Sequence, residues 1–239
     1  MINIFFTNVV TIIIFTSQLL LSQSAFSSDA KCVQSIDFLQ DHCFTCNNEK
    51  AETKCKVEEF KYLGKVNNQY YYSSITLEYH SESGMDLNEE YNTRNVTIYE
   101  GKNKKEVRPV YYTGGSFDIF EHVFIELVTA KKNNFIHIYV SDGNGGFDSG
   151  EFFVFKNNSW YKIKVPDLDS EFEHVIPKNC SFNSNGGWID LNTLTFNRSV
   201  YKENEPSCCP TGGKLIAYLK LTSDNKFFVT KTKYFPNSN

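Results

Sequence analysis

Phe135–Ile136–His137–Ile138–Tyr139–Val140, then Glu151–Phe152–Phe153–Val154–Phe155–Lys156, Asn157–Asn158–Ser159 and Trp160–Tyr161–Lys162–Ile163–Lys164–Val165 set the reading of this chain. The runs are short, and rich in aromatic and β-branched residues that suit a pleated surface. Turn formers separate them: Asp142–Gly146 between the first and second, Asn157–Ser159 between the second and third. Strands joined by hairpins fit this pattern. In the first run Phe135, His137 and Tyr139 fall on one face.

The same rhythm extends both ways. Upstream it predicts strands at Val57–Leu63, Tyr70–Tyr79, Asn95–Tyr99, Val107–Thr113 and Phe117–Thr129, the last being the longest apolar run, followed by a turn at Lys131–Asn134. Pro109 confines the Val107 strand to an edge or a bulge, because proline donates no ladder hydrogen bond. Downstream a looser stretch, 166–187, holds Pro166, Pro177 and Gly186–Gly187. Strands are predicted again at Trp188–Val200, Lys214–Leu221 and Lys226–Thr232, the last two joined at Ser223–Asp224–Asn225. With no βαβ alternation and no repeat of fixed period, the expectation is a mainly β protein, an antiparallel sandwich or barrel-like sheet over residues 57–239.

Ahead of this lie two further segments. Residues 1–28 carry no charged side chain, and the apolar Ile12–Phe15 and Leu19–Leu21 precede small residues at Ser22, Ser24, Ala25 and Ser27. That is the layout of an export signal, read here as residues 1–27, with Ala25 and Ser27 at the small-residue positions before the cut. Polar residues interrupt the apolar run, so no stable membrane span is expected after cleavage. Residues 28–56 are cysteine-rich and partly helical: Ser35 is placed to cap a short helix carrying Ile36, Leu39, Gln40 and Cys43.

The 7 cysteines are Cys32, Cys43, Cys46, Cys55, Cys180, Cys208 and Cys209. In an exported chain they are disulfide candidates. The four early ones allow three connectivities, among them the nested Cys43–Cys46 with Cys32–Cys55 and the sequential Cys32–Cys43 with Cys46–Cys55. Cys180 is expected to pair with Cys208 or Cys209, in competition with a vicinal Cys208–Cys209 bridge. An odd total leaves one thiol over. Cys43 and Cys46 also have the C-x-x-C spacing of thiol–disulfide proteins, without the βαβ context that lowers a thiol pKa. Zinc held by Cys43, Cys46 and Cys55 lacks a second ligand pair at finger spacing.

Other chemistries rest on scattered residues. Asp142, Asn144, Asp148 and Glu151 are hard oxygen ligands for calcium, but their spacing departs from the EF-hand and also suits a glycine-rich hairpin turn. Five histidines (His42, His80, His122, His137, His174) accompany Asp118, Glu121 and Glu173, and no nucleophile elbow, metalloprotease or phosphate-loop motif is present. No catalytic residue is therefore assigned. Tyr70, Tyr72, Tyr112 and Trp188 are candidates for a binding platform, against ordinary sheet packing. The four N-x-S/T sequons, at Asn95, Asn157, Asn179 and Asn197, are read as chance matches in an asparagine-rich chain. With 24 Lys and Arg against 28 Asp and Glu, net charge −4, the chain offers no basic field for nucleic acid.

The string Asn204–Glu205–Pro206–Ser207–Cys208–Cys209–Pro210–Thr211 is the most distinctive. With Gly145–Gly146–Phe147, Glu151–Phe155, Trp188–Asp190 and Leu194–Phe196, it resembles a loose group of exported bacterial proteins in which a D-P-x-C-C-P stretch follows a glycine-rich turn and an aromatic strand. The likeness covers roughly residues 105–235, with Glu205 in place of the aspartate. It implies a secreted β domain and carries over no catalytic residue. The expectation is an exported, secreted or periplasmic binding module for a protein, peptide or glycan. The alternatives are a hydrolase with no motif of its own and a thiol–disulfide protein working through Cys43 and Cys46.

Overall fold

The computed structural model describes residues 32–43, 54–80, 91–113, 117–118, 122–141, 150–182, 187–206 and 209–237. The leader, Cys46, Cys208, Asp142, Asn144 and Asp148 lie outside them. The chain is mainly β, built of curled antiparallel sheets. Sheet I contains β1 (Gln34–Ser35), β2 (Lys54–Val66), β3 (Gln69–His80), β4 (Tyr91–Gly101), β5 (Glu106–Tyr112) and β6 (Phe117–Asp118). Its order is β1-β5-β4-β3-β2, with β6 also on β4. Sheet II runs β10-β9-β8-β7, from β7 (His122–Ala130), β8 (Asn133–Ser141), β9 (Glu151–Lys156) and β10 (Ser159–Lys162). Sheet III contains β11 (Cys180–Ser181), β12 (Gly187–Asp190), β13 (Thr195–Lys202), β14 (Gly213–Leu221) and β15 (Phe227–Phe235). It runs β11-β13-β14-β15, with β12 also on β13.

Tight hairpins set the registers. Asn67–Asn68, Lys131–Lys132 and Asn157–Asn158 each take positive φ at both positions, and each closes a two-residue loop between paired strands. Such turns match the right-handed twist of the flanking strands. Pro109 lies beside a register shift in the β4–β5 ladder, the bulge expected of it.

The centre of sheet II, β8 and β9, is buried on both sides. Ile136, Ile138 and Val140 of β8 pack with Phe153, Trp160, Ile125 and sheet I residues Tyr71, Ile75, Val96 and Ile98. Their neighbours Phe135, Phe152 and Val154 pack the other way, on Phe196, Val200, Leu215, Ala217 and Leu219 of sheet III. The period-2 alternation of a strand thus feeds two interiors at once. A third, smaller cluster lies on the outer face of sheet I, where Ile36 and Leu39 cover Tyr72, Tyr99 and Val107. Those two residues belong to the helix α1 (Ile36–Asp41), whose N-terminus Ser35 caps by accepting the Phe38 N–H at 3.1 Å.

Sheets II and III are also tied at their ends. Lys131 Nζ donates to the Thr193 carbonyl at 2.7 Å, and Lys156 Nζ to Asn225 Oδ1 at 2.7 Å. Lys164 pairs with Lys226 in an isolated parallel bridge.

Four expectations need correction. The run Phe117–Thr129 is divided between β6 and β7. Trp188–Val200 is not one strand but the hairpin β12–β13: the Asp190 carboxylate accepts the N–H groups of Asn192 and Thr193, and Leu194 adopts φ 55°. Cys43 is bridged to Cys55, with Cα atoms 6.2 Å apart, so neither the nested nor the sequential pattern forms and the C-x-x-C spacing does not close on itself. Cys180 keeps a free thiol, because β11 turns its side chain toward the margin of the sheet III core.

Candidate functional site

A cleft of about 480 Å³ opens between sheets II and III. That volume lies within the roughly 300–1,000 Å³ of small-ligand sites. One wall is the face of sheet II that carries Glu126, His137, Tyr139 and Phe152. A second is β12 and the turn after it, from Gly187 to Asn192; a third is the segment 165–169.

Register places the polar groups of the first wall. Glu126 of β7 lies directly opposite His137 of β8, and His137 opposite Phe152 of β9. Directly opposed residues share a face with Cβ atoms roughly 5 Å apart. Glu126 Oε1 and His137 Nδ1 are 3.2 Å apart. The imidazole stacks on Tyr139, with centroids 4.5 Å apart, and on Phe152, at 4.1 Å. Burial lowers the His137 pKa, and the Glu126 carboxylate opposes that shift only in part.

Across the cleft Arg198 is almost fully enclosed, its side chain 5% exposed, and pairs with Asp169, which is 38% exposed. Its guanidinium lies 4.9 Å from the Phe182 centroid and 5.3 Å from that of Phe196. Burial lowers its pKa, and Asp169 opposes the shift. The carboxylates nearby are held by their own turns. Asp167 accepts the Asp169 N–H at 3.1 Å. Asp190 accepts the Asn192 N–H at 2.9 Å and the Thr193 hydroxyl at 2.7 Å, bonds that outweigh burial and lower its pKa.

The residues singled out from the sequence are dispersed. Of the four platform candidates only Trp188 borders this cleft, and its indole turns to the opposite face of β12 from Ile189, with Lys214 Nζ 5.4 Å from the ring centroid. Tyr70 and Tyr72 lie on sheet I beside Tyr62, with Tyr72 buried. Tyr112, also on sheet I, donates to Glu78 at 3.0 Å. Glu151, the described member of the calcium set, accepts from the Tyr111 hydroxyl and the Lys162 ammonium. No cluster of three metal-ligating side chains occurs among the described residues. Asn95 and Asn197 are buried, so those two sequons are closed to modification in the folded chain.

Glu126, Asp167, Asp169, Asp190 and Arg198 are not site candidates on sequence grounds. No motif marks them; they meet only through strand register and the β12–β13 hairpin. Among the described residues no helix is long and apolar enough to cross a membrane. No protein-family model, curated protein sequence or solved structure matches the chain.

Proposed function

We propose that the protein is an exported, disulfide-stabilised, non-catalytic binding module whose ligand seats in the cleft between sheets II and III. One observation carries the reading: the cleft has the volume and the apolar-with-polar lining of a ligand site, while its imidazole and guanidinium, His137 and Arg198, are committed to structural partners. His137 is stacked on two rings and bonded to Glu126, and no serine, threonine, cysteine or lysine is among the described lining residues. The apolar leader and the Cys43–Cys55 bridge support export.

The Glu126–His137 pair favours a second reading, a hydrolase in which His137 takes a proton from water. A panel of chromogenic ester, glycoside and peptide substrates separates the two. The binding reading expects no turnover, together with ligand-induced shifts confined to cleft residues in amide spectra. Turnover that His137→Gln abolishes without lowering the melting temperature establishes the hydrolase instead.

A further inference from the structure

Among the described residues β12 is an edge strand: β13 is its one partner, and Gly187, Trp188, Ile189 and Asp190 all line the cleft. The phase of the neighbouring ladders fixes which of its backbone groups are spare. The Leu219 N–H donates to the Leu194 carbonyl at 2.8 Å, so Leu194, Phe196 and Arg198 exchange hydrogen bonds with β14. The Glu203 N–H donates to the Asn179 carbonyl at 3.1 Å, which sets the same phase from the other edge of β13. Thr195 and Asn197 therefore turn their N–H and C=O toward β12, where their partners are Asp190 and Trp188. Ile189 lies between those two. Its side chain enters the core, while its own N–H and C=O face away from β13, and the residue lines the cleft. None of the described residues bonds to that pair.

A spare N–H and C=O on a strand edge is the element by which a sheet takes on a further strand. The rest of the cleft states what such a strand should carry. Four carboxylates, of Glu126, Asp167, Asp169 and Asp190, line it against one guanidinium, that of Arg198, leaving three negative charges without a cationic partner in the lining. Glu126 is 47% exposed and meets solvent beside the phenol of Tyr139. Apolar surface from Val128, Phe152 and Pro166 completes the walls.

We propose that the cleft takes an extended peptide segment with basic side chains, added as a further strand to the open edge of β12, with Glu126 on the sheet II wall and Asp167 and Asp169 on the third wall facing its charges. This rests on the binding-module reading and names its ligand class. Main-chain pairing with Ile189 supplies register, and the basic side chains supply charge complementarity.

The test uses the full chain and the capped peptide VKVKV, followed by amide spectra. Binding is expected to shift the signals of residues 187–192 and of His137. Two analogues methylate alternate backbone nitrogens, on the valines in one and on the lysines in the other. One of the two should lose affinity about tenfold or more while the other keeps it, because alternate N–H groups of a strand point to one side. Glu126→Gln, taken forward with an unchanged melting temperature, and the peptide VEVEV should each bind more weakly than the parent pair. Equal binding by both methylated analogues overturns edge pairing. Failure of VKVKV while the disaccharides maltose or chitobiose shift the cleft signals overturns the peptide inference and leaves the binding module standing. If none of these probes moves a cleft signal, both fall.

Discussion

His137 and Phe152 stack across β8 and β9 with ring centroids 4.1 Å apart and planes 16° from parallel. The contact takes the imidazole out of water and lowers its pKa. In the unfolded chain the same group titrates near its ordinary value of about 6.5. Between that value and the lower folded one, the unfolded state binds the proton and the folded state does not, so stability falls as the pH drops. Melting temperatures of the wild type should therefore decline below about pH 6.5, and His137→Gln should flatten that part of the curve. Parallel curves for the two proteins would count against the burial argument.

Arg198 depends on Asp169 for its charge partner. Asp169→Asn leaves the guanidinium enclosed beside Phe182 and Phe196 without a carboxylate. The expected loss lies between the ~1 kcal/mol of exposed pairs and the ~3–5 kcal/mol of fully enclosed ones, because Asp169 itself reaches solvent. Urea unfolding measures it, and a loss below about 0.5 kcal/mol contradicts the pairing.

Asn95 is 0% exposed, and neither its amide oxygen nor its amide nitrogen has a hydrogen-bond partner among the described residues. A buried polar group in that condition costs about 1–3 kcal/mol. Asn95→Val removes the amide and retains a side chain suited to a strand. It should raise the unfolding free energy by about 1 kcal/mol or more, an unusual direction for a core substitution. A fall in urea midpoint would refute this.

Gly64 has φ 150° and lies against β7: a Cβ there would sit 2.6 Å from Leu127 Cδ2. This is where β2 of sheet I closes on sheet II. Gly64→Ala must strain the backbone and displace Leu127, at a cost of about 1–3 kcal/mol. Pairing it with Leu127→Ala should recover part of the steric cost, and calorimetry of the two variants reads the difference.

The Cys43–Cys55 bridge, 12 residues apart in sequence, ties the chain beyond α1 to the start of β2. Replacing both cysteines with serine should lower stability by about 2–4 kcal/mol. Cys180 should react with a thiol reagent slowly in the folded protein and fast in denaturant, since it packs at the edge of the sheet III core.

Much of the architecture could be read from local pattern. Phe135 to Val140 alternates as a strand should, and Asn157–Asn158 announces its hairpin through residues that tolerate positive φ. Ser35 was legible as a cap because capping is a contact over three residues. The cleft was not legible in this way. Glu126 meets His137 through an 11-residue hairpin register, and Asp169 meets Arg198 across 29 residues. The β12–β13 turn was hidden by the apolar Leu191 and Leu194 on either side of Asn192–Thr193, although Asp190 is the residue that makes it. The cysteine pairing depends on where the chain folds back onto β2, which spacing alone does not encode.

Adjacent residues in β8 and β9 serve different interiors, Phe135 and Phe152 toward sheet III, Ile136 and Phe153 toward sheet I. Neither outer layer can then peel away without wetting the hairpin that both rest upon. Loss of the slowest-exchanging amides, which should lie in this hairpin, will coincide with global melting instead of preceding it, and a chain truncated after β6 or before β11 should expose a greasy surface and aggregate.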